Sequence, residues 1–295
     1  MQGLLLIDKE KDITSFGAVA KVKWLTETKR VGHTGTLDPM ATGLLPVLVG
    51  RATVLSNYLL DADKEYIAGV CLGKTTDTLD ITGTVLKEKN VSVSKDELLC
   101  VAKEFLGEIS QVPPMYSAIK KDGVRLYELA RKGKEVERAA RTVNIKELEI
   151  YDFDGINFNM RVLCSKGTYI RSLAADIGER LKTGATLTSL RRTKTAGFDI
   201  KDAVDLNKLT KENVEGFLTN EEEVVRGYKK VFVSFKQAVR FSNGGELSLD
   251  RLSGLSDFKE GEILRVCFKD KFVGLGKICL ENNSLKVLAL LNFIK

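Results

Sequence analysis

A chain of 295 residues with 43% hydrophobic content is long enough for about two domains and a sizeable core. Its 29% charged residues and four prolines are those of an ordinary folded protein, which excludes a disordered or low-complexity architecture. The net charge of +6 suits a polyanionic partner without requiring one, and a single histidine, His33, excludes multi-histidine metal chemistry.

The five cysteines are widely spaced and form no C-x-x-C pair, so neither a disulfide framework nor a zinc site is expected. The first residues carry too short an apolar run for a signal peptide, and no stretch is long enough for a membrane helix. A cytoplasmic protein is the expectation.

In chain order, Thr14 or Ser15 caps a predicted helix running to about Leu25, with Phe16, Val19, Ala20 and Trp24 on a face read as core. Residues 65–72 read as a strand. The alternation of Ile156, Phe158, Met160 and Val162 with polar residues predicts a second, half-buried strand. Behind Gly167 and Thr168, the residues Ile170, Leu173, Ala174, Ile177 and Leu181 recur at helical spacing and place Arg171 in the first turn. A cation there opposes the helix dipole, so the position hints at an anionic partner, although a solvated surface arginine reads equally well. Charge runs at residues 220–230 mark a boundary. The short strand candidates 231–233, 263–266, 272–276 and 285–288 beyond it suggest a small β-barrel.

The densest motif is Gly32-His33-Thr34-Gly35-Thr36-Leu37-Asp38-Pro39, continuing to Pro46. Asp38 and Pro39 suit the N-cap and first position of a helix, and equally suit a carboxylate projecting from a Gly/Thr-rich loop into a cleft. Gly69 to Thr75 ends in Gly-Lys-Thr but is one residue short of a phosphate-binding loop, so NTP hydrolysis is disfavoured. The following Thr76-Asp77-Thr78-Leu79-Asp80 reads as a turn more readily than as a metal site. Residues 120–141 hold eight basic and four acidic side chains beside Tyr116 and Tyr127, which is either an RNA-backbone clamp or a solvated surface helix.

In this order these segments resemble the TruB family of bacterial tRNA pseudouridine-55 synthases. The resemblance rests on Leu4 to Lys9 with Thr14-Ser15, Gly32 to Pro46, Lys64-Glu65-Tyr66, Gly73 to Asp80, Pro113 to Ala118, Gly167 to Arg171 and Leu190-Arg191-Arg192. One departure is visible: Glu10 and Asp12 stand where the first motif usually has proline and glycine.

The resemblance implies an α+β fold, namely a pseudouridine-synthase-type catalytic domain with a mixed, mostly antiparallel sheet flanked by helices, and a small C-terminal PUA-like β-barrel. Residues 1–225 would form the first, with a basic thumb-like insertion at about 116–141, and residues 226–295 the second. The implied reaction is isomerisation of a T-loop uridine of tRNA, at position 55, to pseudouridine by base flipping, with neither cofactor nor metal. Asp38 matches the catalytic aspartate and Arg171 the arginine that pairs with it. Tyr66 matches the aromatic residue stacked on uracil, Tyr169 another wall of the pocket and Leu190 an apolar contact, although pattern alone reads all three as core. His33 would touch RNA near the flipped site and is not a general base. The implied partner is the tRNA T arm, bound by a monomer that needs no guide RNA, obligate protein partner or membrane. A noncatalytic RNA-binding protein on the same scaffold is the alternative.

Overall fold

The computed structural model describes residues 1–60, 62–252 and 259–294. A ten-stranded sheet runs in the spatial order Val204–Asp205, Gly3–Lys9, Thr42–Val49, Ala185–Thr195, Lys64–Leu72, Asn157–Cys164, Arg141–Tyr151 and Gly107–Gln111. Val31–His33 adds to the Thr42–Val49 strand and Phe198–Asp199 to Ala185–Thr195. Pairing is antiparallel except where Gly3–Lys9 meets Val204–Asp205 and where Ala185–Thr195 meets Thr42–Val49. The expected mixed, mostly antiparallel sheet is therefore present.

The Leu4-Leu5-Leu6-Ile7 run is apolar throughout because the strand is covered on both faces. Leu5 and Ile7 join the core that also takes Val22 and Leu25 of one helix and Leu173 and Ile177 of another. Leu4 and Leu6 point the other way and pack with Phe272, Leu275 and Leu291 of the C-terminal unit.

The first helix, Ser15–Thr26, starts at the expected N-cap Thr14, but it buries a different face from the one read in the sequence. Ala18, Val19, Val22 and Leu25 are inside, whereas Phe16 is 74% and Trp24 63% exposed. The Ser15 hydroxyl exchanges hydrogen bonds with the Leu37 backbone and so fixes which side of the helix meets the sheet. Lys211 covers the Trp24 ring at 5.0 Å. The predicted second strand is Asn157–Cys164; Ile156 lies before it, half exposed, where the Asp154 carboxylate accepts from the Ile156 and Asn157 amides.

No helix follows Asp38-Pro39: the Asp38 carbonyl accepts from Ala41 N–H in a single turn, and Thr42–Val49 is a strand. Gly69 to Leu72 is extended strand, with Lys74 paired to Glu88, so no phosphate-binding loop exists there. Residues 116–141 hold a short hairpin, Lys120–Lys121 with Val124–Arg125, and a five-residue helix, Leu126–Ala130, with little burial.

All four C-terminal strand candidates form. With Leu247–Ser248 they make a five-stranded sheet that curls into a PUA-like half-barrel. The helix Phe235–Ser242, opened by a Ser234/Gln237 capping box, contributes Ala238 and Phe241 to its core. Among the described residues no helix is long and apolar enough to cross a membrane.

Candidate active site

The loop 34–41 crosses the end of the central strands, and nearly every residue in it is tied down. Thr34 N–H donates to the Pro46 carbonyl, Arg192 donates to the Gly35 carbonyl, and Ser15 holds Leu37. The Pro39 carbonyl accepts from Asp12 N–H at 2.8 Å and from Lys9 Nζ at 3.3 Å. A loop fixed at this many points presents the Asp38 carboxylate without paying ordering entropy when a ligand arrives.

Asp38 Oδ2 lies 2.9 Å from Arg171 Nε. The Arg171 guanidinium is 4% exposed, and its remaining donors reach the Thr78 carbonyl at 3.0 Å and the Tyr116 carbonyl at 2.8 Å. A second carboxylate, Asp80 Oδ2, stands 3.6 Å away on the far side. Its other oxygen accepts from Thr78, from Thr82 N–H and from the Thr82 hydroxyl. The cation in the first turn of Ile170–Arg180, unfavourable against the helix dipole, is thus compensated by two of the protein's own carboxylates.

Burial pushes the Asp38 carboxyl above its ordinary value; Arg171 and Lys9 pull it down, and Asp80 pushes it up again. A third of the side chain remains open to the cleft, so the group is desolvated yet accessible. Lys9 is fully buried, its ammonium capped by the carbonyls of Glu10, Ile13 and Pro39, and burial lowers its pKa to about 8.

A cleft of about 280 Å³ opens beside Asp38, lined also by Tyr66, Tyr169, Arg171, Leu190, Lys64 and Arg192. The central strands supply its floor: Tyr66 on Lys64–Leu72 pairs directly with Arg192 on Ala185–Thr195, and Leu190 pairs with Ala68 two residues along the same face. The Gln111 side-chain amide accepts from Tyr169 N–H and donates to the Tyr169 carbonyl, which fixes that wall. Five of the residues singled out in the sequence, Asp38, Tyr66, Tyr169, Arg171 and Leu190, therefore meet in one cleft.

His33 does not line it. It borders a separate, open depression with Lys29, Arg30 and Thr53. Burial and the Arg192 charge hold its pKa below the ordinary value, so the imidazole is neutral at pH 7, and Nδ1 is buried without a partner.

Asp80, Gln111 and Arg192 were not among the residues assigned roles. Asp80 and Arg192 lie inside quoted motifs, but their partners are remote in the chain; Gln111 lies 58 residues from Tyr169 and carries no local signal.

Residues 23–170 match the TruB family pseudouridylate synthase (N terminal domain), and residues 171–227 the tRNA pseudouridylate synthase B C-terminal domain. The chain is 44% identical over 278 residues to a tRNA pseudouridine synthase B of Clostridium tetani (strain Massachusetts / E88), spanning 94% of this chain and 96% of that one. A tRNA pseudouridine synthase B of Azoarcus sp. (strain BH72) is 49% identical over 250 residues, 84% of this chain and 83% of that protein. Among solved structures, a chain of a Cbf5-Nop10-Gar1 complex superposes with a TM-score of 0.75 at 28% identity, covering 98% of this chain and 84% of that chain. Likeness of this degree over almost the full length, in sequence and in fold, has one meaning: the chain belongs to the TruB family of pseudouridylate synthases.

Proposed function

We propose that this protein isomerises the T-loop uridine at position 55 of tRNA to pseudouridine. The observation that carries the reading is the Asp38 carboxylate, 2.9 Å from a buried guanidinium and open to a cleft with two tyrosine walls. The reaction detaches uracil N1 from ribose C1′, turns the base and joins C5 to C1′. It needs an ionised carboxylate beside an extruded nucleoside, whether that group attacks the sugar, adds to uracil C6 or assists loss of a ribose proton. In this reading Asp38 is that group and Arg171 holds its charge. Tyr66 and Tyr169 stack against the base, Leu190 contacts it, and the aromatic contacts offset the few kcal/mol that unstacking costs. His33, outside the cleft, touches RNA beside the flipped site as a neutral side chain.

The basic insertion at about 116–141 closes over the T arm. It is anchored where Arg171 holds the Tyr116 carbonyl, next to the catalytic pair. Residues 1–225 form the catalytic unit and 226–295 an RNA-binding unit. That division is supported by the larger sheet ending at Asp205 and the smaller one beginning at Lys229. We read the enzyme as a cytoplasmic monomer acting without guide RNA, obligate protein partner, metal or cofactor, since the chain carries its own basic clamp.

A T-arm RNA with tritium at uridine C5 is expected to release label to water with the wild-type protein alone, and Asp38→Asn to abolish release while leaving RNA binding intact. Full release by Asp38→Asn would remove this carboxylate from the reaction.

A further inference from the structure

Arg192 is fully buried at the floor of the cleft, and among the described residues no carboxylate pairs with it. Its Nε donates to the Leu44 carbonyl at 2.7 Å and a terminal nitrogen donates to the Gly35 carbonyl at 3.1 Å. Directly across the strand pair stands Tyr66, whose hydroxyl hydrogen-bonds the same guanidinium. An unpaired buried cation is costly to fold, so its retention beside the cleft calls for a use.

The donor inventory supplies one. A guanidinium has five N–H donors and no acceptor, so in this contact the Tyr66 oxygen must accept. The phenol's single proton is then directed away from Arg192. Both side chains line the cleft, which is where that proton has room to point. We propose that Arg192 is the positioning residue for Tyr66 and for the Gly35–Asp38 turn, fixing the phenol as a hydrogen-bond donor to a carbonyl oxygen of the pyrimidine bound in the cleft. Tyr66 is then more than a stacking wall, and a cation behind the acceptor strengthens the bond it donates. The same guanidinium holds Gly35, three residues before Asp38, so the base and the carboxylate are registered against one rigid group. This rests on the functional reading above only in naming the occupant of the cleft.

The test is a double-mutant cycle in the full-length protein with Tyr66→Phe, Arg192→Gln and their combination, read by tritium release, T-arm RNA binding and thermal melting. Each single change is expected to lower kcat roughly 100-fold, the usual loss for one well-aimed donor, with KM nearly unchanged. The combination should be no worse than the poorer single variant by more than about threefold, because both act through one contact. Losses that multiply, or that follow the melting temperature, overturn the proposal. Should Arg192→Gln fail to fold, Arg192→Lys runs the same cycle, since it keeps the charge but cannot span the three partners. Isotope-labelled tyrosine Cζ, with the Tyr66 resonance assigned from Tyr66→Phe, gives a readout independent of activity. The resonance is expected to move in the Arg192 variant, and an unmoved one overturns the contact whether or not T-arm RNA proves to be the substrate.

Discussion

Asp38 shows how opposed electrostatic effects set one group's chemistry. Two unit charges about 3–4 Å apart interact by roughly 4–5 kcal/mol at an effective dielectric of about 20, and removing a carboxylate from water costs a similar several kcal/mol. Burial is the larger effect here and the pKa is raised, which leaves a more basic carboxylate than one on the surface. The sign for activity follows. The ionised form reacts, and the folded pKa lies above the ordinary carboxylate value, so label release should rise with pH and reach half its plateau above the usual carboxylate range. Asp80 pushes the same pKa up, so Asp80→Asn is expected to move that midpoint to lower pH in the pH–rate profile. An unmoved midpoint would show that Asp80 is not electrostatically coupled to Asp38. Legibility at this scale was uneven. Asp38, Tyr66 and Arg171 stood out in motifs, whereas nothing local marks Gln111 as the residue that clamps Tyr169.

Among the elements, the loop after the first strand answers the question raised by its departure from the family pattern. Asp12 occupies the position where the motif usually has glycine, and it adopts a left-handed backbone with φ of 67° while its N–H bonds Pro39. The glycine conformation is kept without the glycine, at a cost that aspartate bears better than most residues. Asp12→Gly is therefore expected to stabilise the protein by about 0.5–1 kcal/mol in denaturant melts, and Asp12→Val to destabilise it by more than that. A neutral or destabilising Asp12→Gly would mean that its carboxylate makes a compensating contact. The helix Ile170–Arg180 was legible because its apolar spacing and its burial agree. In the helix Ser15–Thr26 they disagree, since the Ser15–Leu37 contact turns Phe16 and Trp24 to solvent, and no pattern within twelve residues encodes a contact to a loop 22 residues away.

Across the whole molecule, the C-terminal half-barrel packs on one face of the large sheet through Leu4, Leu6, Leu44 and Leu48, leaving the cleft and the basic insertion free of it. The excess positive charge of residues 120–141 lies in that insertion, where few side chains are buried. If about four phosphates are neutralised there, T-arm RNA affinity should fall roughly 100-fold between 50 and 200 mM salt. Replacing Lys120, Lys121, Arg131 and Lys132 with glutamine should flatten that slope in a filter-binding titration. A slope unchanged by the substitution would place the phosphate contacts elsewhere.

By itself the sequence determined the periods, and with them the strands, the helix behind Gly167, the short strands after residue 228 and the loop that carries Asp38, because hydrophobic spacing and turn chemistry are local. Which face of a helix is buried, the sharing of Arg171 between Asp38 and Asp80, and the seating of Tyr66 on Arg192 were decided only by tertiary structure. Each of those is a contact between segments far apart in the chain, and its energy depends on burial and distance, quantities that exist only once the sheet has formed.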